Sequence, residues 1–219
     1  MSSEIHVLSE KHSLFNQFLS EIRDVGLQQD SMRFRRNIER IGEIFAYEIS
    51  QVLPWSGLDV TTPLGVSPSL RLSQQPVLAT ILRAGLPLHQ GLLNYFDQAE
   101  NAFISAYRKH EDDDDSFEVE IEYLSSPPLD GKTVILSDPM LASGTSMALA
   151  WKALLDCGQP EQLHVAVIIA SEEGVEFARA NLPAGTTFWI GAVDPSLTPR
   201  MYIVPGLGDA GDLAYGAKE

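Results

Sequence analysis

"TVILSDPMLASGTS" (residues 133–146) passes from a short apolar run into a loop of small and hydroxylated residues, and a helical stretch follows from Ser146 to Leu155. Strand, loop and helix in that order place the loop at the carboxyl end of a parallel strand, where open α/β sheets bind ligands. Gly144, Thr145 and Ser146 offer consecutive N–H groups at a helix N-terminus, and the hydroxyls of Ser143, Thr145 and Ser146 add donors, a set that suits a phosphate. No Lys stands before the hydroxyl residue as G-x-x-x-x-G-K-[ST] requires, which disfavours nucleoside triphosphate hydrolysis. Asp138 lies one step past the apolar run, placed to accept hydrogen bonds from a sugar diol. Carboxylate and phosphate cradle together describe a ribose 5-phosphate.

Similar apolar runs recur on both sides: "VLATIL" (77–82), "AFISAY" (102–107), "LHVAVIIA" (163–170) and "TFWIGAV" (187–193). They read as strands buried on both faces. Helical stretches lie between several of them, at Leu86–Tyr95 and Glu172–Asn181, and the alternation predicts an open, mostly parallel sheet flanked by helices. Upstream, Phe34, Ile38, Ile41, Phe45, Ile49 and Val52 recur at three and four, one face of an amphipathic helix over Arg33–Val52. After the breaker at 54–57 come short extended runs. "FEVEIEYLS" (117–125) alternates with period two behind "EDDDD" (111–115), and predicts a projecting hairpin with an acidic, mobile tip; adjacent carboxylates repel one another, so the run is assigned to solvent rather than to a metal. We expect one domain over 1–219, with a hairpin region at 98–127.

Thirty acidic residues against 15 basic give a formal charge of −15, so the basic footprint of a nucleic-acid binder is absent. The N-terminus "MSSEIHVLSEKH" lacks a basic, then apolar, leader pattern, and no run approaches the roughly 20 apolar residues of a membrane span. A cytoplasmic protein is expected. Cys157 is single and reads as a packing residue, and His6, His12, His89, His110 and His164 lack paired metal-ligand spacing.

Near the end, "MYIVPGLGDAGD" (201–212) carries Gly206, Gly208 and Gly211 in the spacing G-x-G-x-x-G. A dinucleotide fold needs a helix and an acidic residue roughly 20 positions beyond, and too little chain follows. The glycines still expose main-chain N–H and C=O groups to a close ligand, and Ile203, Val204 and Pro205 suggest an apolar wall for a flat one.

"DPMLASGTS" resembles the phosphoribosyl pyrophosphate (PRPP) loop of the uracil phosphoribosyltransferase family, and "YIVPGLGDAGD" resembles that family's uracil loop. The likeness extends through "FRRNIERIGEIFAYE" (34–48), "TPLG" (62–65), "ILRAGLPLHQGLL" (81–93) and "AYR" (106–108). Departures are "LASGTS" for the usual "LATGGS", "SEEG" (171–174) for "APEG", and "YRKH" (107–110) for "YRD".

The resemblance implies a PRPP-binding transferase fold with a small hood, a base loop within 194–212, and transfer of phosphoribose to uracil with Mg²⁺ chelated by PRPP. It implies PRPP contacts from Arg83, Arg108, Asp138, Pro139, Met140, Leu141, Ala142, Ser143, Gly144, Thr145, Ser146 and Asp209. It implies uracil contacts from Ile203, Gly208, Asp209 and Ala210, with Asp138, Arg108 and Asp209 in the catalytic roles. A homodimer or higher homo-oligomer is expected, with GTP carried as a candidate allosteric nucleotide, and neither nucleic acid nor membrane as a partner. The rivals are an RNA-binding attenuator on the same fold and a transferase for another nucleobase.

Overall fold

The structure, a computed structural model, describes residues 3–110 and 117–217 and, within these, all side chains but those of 106–110 and 117–120. The acidic run at 111–115, and with it the hairpin tip, lies outside the described residues.

The described strands are β1 (Glu4–Val7), β2 (Trp55–Thr62), β3 (Gly65–Leu72), β4 (Val77–Leu82), β5 (Glu100–His110), β6 (Phe117–Ser125), β7 (Thr133–Leu141), β8 (Gln162–Ser171), β9 (Thr187–Asp194), β10 (Ser196–Leu197) and β11 (Ile203–Val204). The helices are α1 (Leu14–Arg23), α2 (Ser31–Ser50), α3 (Leu86–Leu93), α4 (Thr145–Leu154), α5 (Glu172–Asn181) and α6 (Ala210–Tyr215). Seven strands form one sheet in the order β1-β9-β8-β7-β4-β5-β6, parallel throughout except for β6, which returns antiparallel on β5. The two remaining pairs, β2–β3 and β10–β11, are antiparallel and stand apart from it.

Alternation along the central strands sends side chains to two cores. Leu78, Ile135, Ile168 and Trp189 point to one face, where α1, α2, α3 and α6 bring Phe15, Phe34, Phe45, Leu88 and Ala214. Val77, Val134, Val165 and Phe188 point to the other, against Met147 and Leu154 of α4 and Ala178 of α5. Because both faces are covered, the central strands read as unbroken apolar runs.

The helix boundaries follow their caps. Asp30 accepts the Arg33 N–H and starts α2 two residues before the sequence reading, and Ser171 does the same for α5 through Gly174 N–H. The α2 helix stops at Ser50, so Val52 falls beyond it and is exposed. The segment read as a breaker at 54–57 is in fact mostly strand: β2 begins at Trp55. At the sheet's far edge Trp189 stacks on His6 (centroids 4.2 Å apart), and its Nε1–H donates to His164 Nδ1 at 3.2 Å.

Burial, and secondarily the charge of His6, pushes the His164 imidazolium down to about 4 from its usual 6.5. A depressed histidine costs stability as pH falls from the unfolded value of 6.5 towards 4, because the unfolded chain takes up the proton first. At about 1.4 kcal/mol per pKa unit the loss is a few kcal/mol at most. We expect melting temperature to drop between pH 7 and pH 4.5, and less steeply in His164→Gln, whose carbonyl still accepts the indole N–H; equal slopes would remove His164 from the acid response.

Candidate functional site

The chain enters the sheet's centre at β4, moves outward to β5 and β6, then returns to β7 on the other side of β4 and proceeds through β8 to β9. The order therefore reverses between β4 and β7, and ligands of open sheets bind beyond the carboxyl ends of the strands at such a point. The loops after β4 and β7 begin with the segments holding Arg83 and Ala142–Gly144.

Asp138 lies inside β7, three residues before its end, rather than heading a loop as the sequence suggested. Pairing between β4 and β7 stops at Thr80 and Ser137, whereas β7 stays on β8 as far as Leu141. Pro139 has no N–H to give, and the Met140 N–H turns back to Asp138 Oδ1 at 3.2 Å. The result is an edge opened exactly where β4 leaves, with the Asp138 carboxyl set into it. Burial raises that carboxyl to about 7, and the Met140 hydrogen bond offsets this only in part. A carboxylate so desolvated gains from any hydroxyl donor or positive centre brought to it.

Beyond Leu141 the chain turns through Ala142 and Ser143 to Gly144, whose φ of +80° favours glycine, and α4 starts at Thr145. Ser171 Oγ donates to Ala142 C=O at 2.6 Å and accepts Gly174 N–H, which fastens the loop to the start of α5. Gly144 at the N-cap has no side chain to cap α4, no acidic residue sits in the first turn, and the Thr145 N–H makes only a long contact of 3.5 Å with Ser143 Oγ, so the positive end of the helix is weakly compensated. The Ser143 and Thr145 hydroxyls lie 3.1 Å apart beside them. Main-chain and hydroxyl donors gathered in this way can serve an anion.

Arg83 follows β4 directly, across a cis peptide from Leu82. Its Nη2 makes long contacts of 3.4 Å with Asp212 Oδ1 and with Gly216 C=O, and its buried Nε has no partner among the described residues. The guanidinium is thus placed at the carboxyl end of β4 with donors to spare for an anion. Arg108 falls on β5 opposite Val119 of β6, and its side chain lies outside the described residues.

The terminal glycines form a short turn between β11 and α6. Gly206 (φ +57°) and Gly208 (φ +95°) are left-handed, and a Cβ on Gly208 would meet nothing within 4 Å, so its main chain borders open space. Asp209 caps α6 through the Asp212 N–H at 3.0 Å. A helix does follow the glycines, but a short one, with Gly211 inside it. The expected apolar wall is only partly there: the Ile203 side chain is buried with Leu207 and Ala210 in the core, and Val204 and Pro205 alone are exposed. Ile203 and Ala210 are almost wholly buried, and of the four residues expected at the base Gly208 is the exposed one and Asp209 the half-buried one. Gly211 packs towards Arg83 and Ala84, which brings this turn to the loop after β4. Asp138, the cradle, Arg83 and the glycine turn thus come from the elements that surround the switch point.

A family model described as "Uracil phosphoribosyltransferase" matches residues 8–217. The chain belongs to the uracil phosphoribosyltransferase family. It is 55% identical over 215 residues to the uracil phosphoribosyltransferase of Porphyromonas gingivalis, covering 98% of this chain and 99% of that one. It is 38% identical to the protein of the same name from Methanothermobacter thermautotrophicus, over 90% of this chain and 89% of that one. Among solved structures, the AQ2163 protein of Aquifex aeolicus superimposes with a TM-score of 0.85 at 28% identity, covering 97% and 98%. Adenine phosphoribosyltransferase of Trypanosoma brucei shares the fold alone, with a TM-score of 0.52 at 13% identity over 85% of this chain and 83% of that one.

Across from the glycine turn lie residues that sequence reasoning did not single out. Gln28, Gln29 and Ser31 line a cleft of about 350 Å³ with Gly208, Asp209 and Asp212. Nothing in their spacing marks them, since they come from the other end of the chain. A cavity of about 480 Å³ lined by Arg35, His89, Asn101 and Tyr215 contains none of the predicted site residues. Among the described residues no helix is long and apolar enough to cross a membrane.

Proposed function

We propose that this enzyme joins uracil to the anomeric carbon of PRPP, giving uridine monophosphate and pyrophosphate, with the residues around the β4–β7 switch point as its machinery. The observation that carries the proposal is an α4 N-terminus with no acidic residue in its first turn, following on the same strand a desolvated Asp138 carboxyl that has no ion-pair partner among the described residues, a pair suited to the two ends of a ribose 5-phosphate. Membership of the family supplies the reaction; the rival RNA-binding and other-nucleobase readings are not favoured by it.

In this reading the cradle Ala142 to Ser146 holds the 5-phosphate, and Asp138 accepts hydrogen bonds from the ribose hydroxyls. The C–O bond to pyrophosphate breaks and a C–N bond to uracil forms on the opposite face, with the base losing its ring N–H proton. Positive charge grows on the ribose as the leaving group departs. The Asp138 carboxyl, held near 7 by burial, ionises fully against that charge, so its stabilisation is greatest in the transition state. Arg83 and Arg108 take the diphosphate. Asp209 orients the base and borders PRPP, and the Gly208 to Ala210 main chain reads the uracil edge.

From the family resemblance we carry Mg²⁺ held on PRPP rather than by protein ligands. The ion would neutralise the departing diphosphate. From the family resemblance we also carry, as proposals, a homo-oligomer of one domain per chain, a GTP-like effector and a cytoplasmic location.

The purified chain supplied with PRPP, Mg²⁺ and uracil should release uridine monophosphate and pyrophosphate in equal amounts; no nucleotide, from protein that binds PRPP, would overturn the proposal. Arg108→Ala should lower turnover by about 100-fold or more, as expected for loss of a donor aimed at transition-state charge, and leave the melting temperature within a few degrees. Near-normal turnover would take Arg108 out of the mechanism.

A further inference from the structure

The base turn is held by side chains that lie far away in the sequence. Arg23, the last residue of α1, forms a two-pronged ion pair with Asp194, the last residue of β9: Nη1 to Oδ2 and Nη2 to Oδ1, both 2.8 Å. The pair is largely shielded, with side-chain exposures of 21% and 7%. Both partners also grip Gly206. Its N–H donates to Asp194 Oδ2 at 2.9 Å, and its C=O accepts from Arg23 Nη1 at 3.0 Å.

One residue further on, the Leu207 C=O is taken as well. With its side-chain amide oriented to suit its neighbours, Gln28 donates to Leu207 C=O and to Ile22 C=O, each at 3.0 Å. Three polar groups of the turn, Gly206 N–H, Gly206 C=O and Leu207 C=O, are therefore occupied by fixed partners. Gly208 follows with its main chain facing open space.

We infer that Arg23, acting through Asp194 and Gly206, is a positioning residue for uracil: the ion pair locks the turn so that the Gly208 to Ala210 main chain presents its donors and acceptors in one fixed geometry. The inference rests on reading 203–210 as the base turn. Discrimination by main-chain groups demands such a lock, because a loop free to rotate its amides accommodates a base with the opposite donor and acceptor pattern. The planar fork of arginine is what allows one side chain to meet both carboxylate oxygens and a carbonyl. A lysine in its place keeps the charge but satisfies these acceptors only one way at a time.

Arg23→Lys is the test, since it leaves Asp194 with a counter-charge, whereas Arg23→Ala would bury a bare carboxylate and risk the fold. We expect KM for uracil to rise by about 10- to 100-fold, the range that a small misplacement of a binding group brings, while KM for PRPP stays within about twofold. Melting temperature should shift by only a few degrees. Unchanged KM values for both substrates would overturn the inference, as would a parallel rise in both, which marks a merely structural pair. Gly208→Val, measured alongside, separates the two failures. If it destroys uracil use and Arg23→Lys does nothing, the lock is wrong and the base turn stands; if both leave uracil untouched, the base turn itself is misassigned.

Discussion

Asp138→Asn should reduce turnover by at least about 100-fold and at the same time make the unliganded protein more stable at pH 8. The first effect follows from the loss of the one negative charge set against the developing positive ribose, a kind of interaction typically worth about 3–4 kcal/mol in a water-poor site. The second follows from linkage. Burial raises the folded-state carboxyl to about 7 from an ordinary 3.8. A raised acid is an asset below its unfolded value, where both states are protonated, and that stability drains away as pH climbs from 3.8 through the folded value of about 7, because over that span the unfolded chain has released a proton the folded state still holds. Asparagine has no proton to lose and its carbonyl still accepts the Met140 N–H. The mutant's advantage in melting temperature should therefore be largest at pH 8 and shrink as pH falls from 7 towards 4. A mutant that is inactive but destabilised at pH 8 would mean the carboxylate has a counter-charge, and the electrostatic role would fail.

Gly208→Val is expected to abolish uracil use while leaving PRPP binding within about twofold. The effect does not come from a clash within the protein, since a Cβ there meets nothing within 4 Å. It comes first from φ +95°, which a β-branched residue does not adopt without a cost of about 1–3 kcal/mol, so the turn must rotate and its amides with it. It comes second from the side chain itself, which fills the space the base would occupy. Gly208→Ala, with the smaller side chain, should fall between. Because the turn lies beyond the sheet, far-ultraviolet circular dichroism should be unchanged. Retained uracil affinity in the Val variant would remove the Gly208 main chain from base recognition.

Much of the frame was readable from apolar runs: Val77–Leu82 came out as predicted and Glu172–Asn181 did so too, because central strands here are bounded by turn residues and α5 carries its own Ser171 cap. What escaped was short or atypical. Glu4–Val7 alternates charge with apolar residues over too few positions to stand out, and it becomes a strand only by pairing with β9. The apolar run stopped at Ser137, yet β7 continues through Asp138 and Pro139 to Leu141, with the Met140 N–H handed to Asp138. The proposed cradle could be picked out from sequence because all its groups are consecutive. Arg83 was found only through family resemblance, since an arginine after a strand has no local signature, and Arg23 with Asp194 could not be found at all. They are 171 residues apart in sequence, and only the closed fold makes them neighbours.

In the proposed mechanism one loop binds phosphoribose and a separate main-chain turn chooses the base. The most direct measurement supplies the wild-type enzyme with PRPP and Mg²⁺ and compares nucleotide formation from uracil, cytosine, hypoxanthine and adenine. Uracil alone should give product, with cytosine slower by tens-fold or far more, since two mispaired buried groups cost about 1–3 kcal/mol each. Comparable rates with cytosine or with a purine would contradict the claim, because a turn held as described could not serve both donor patterns.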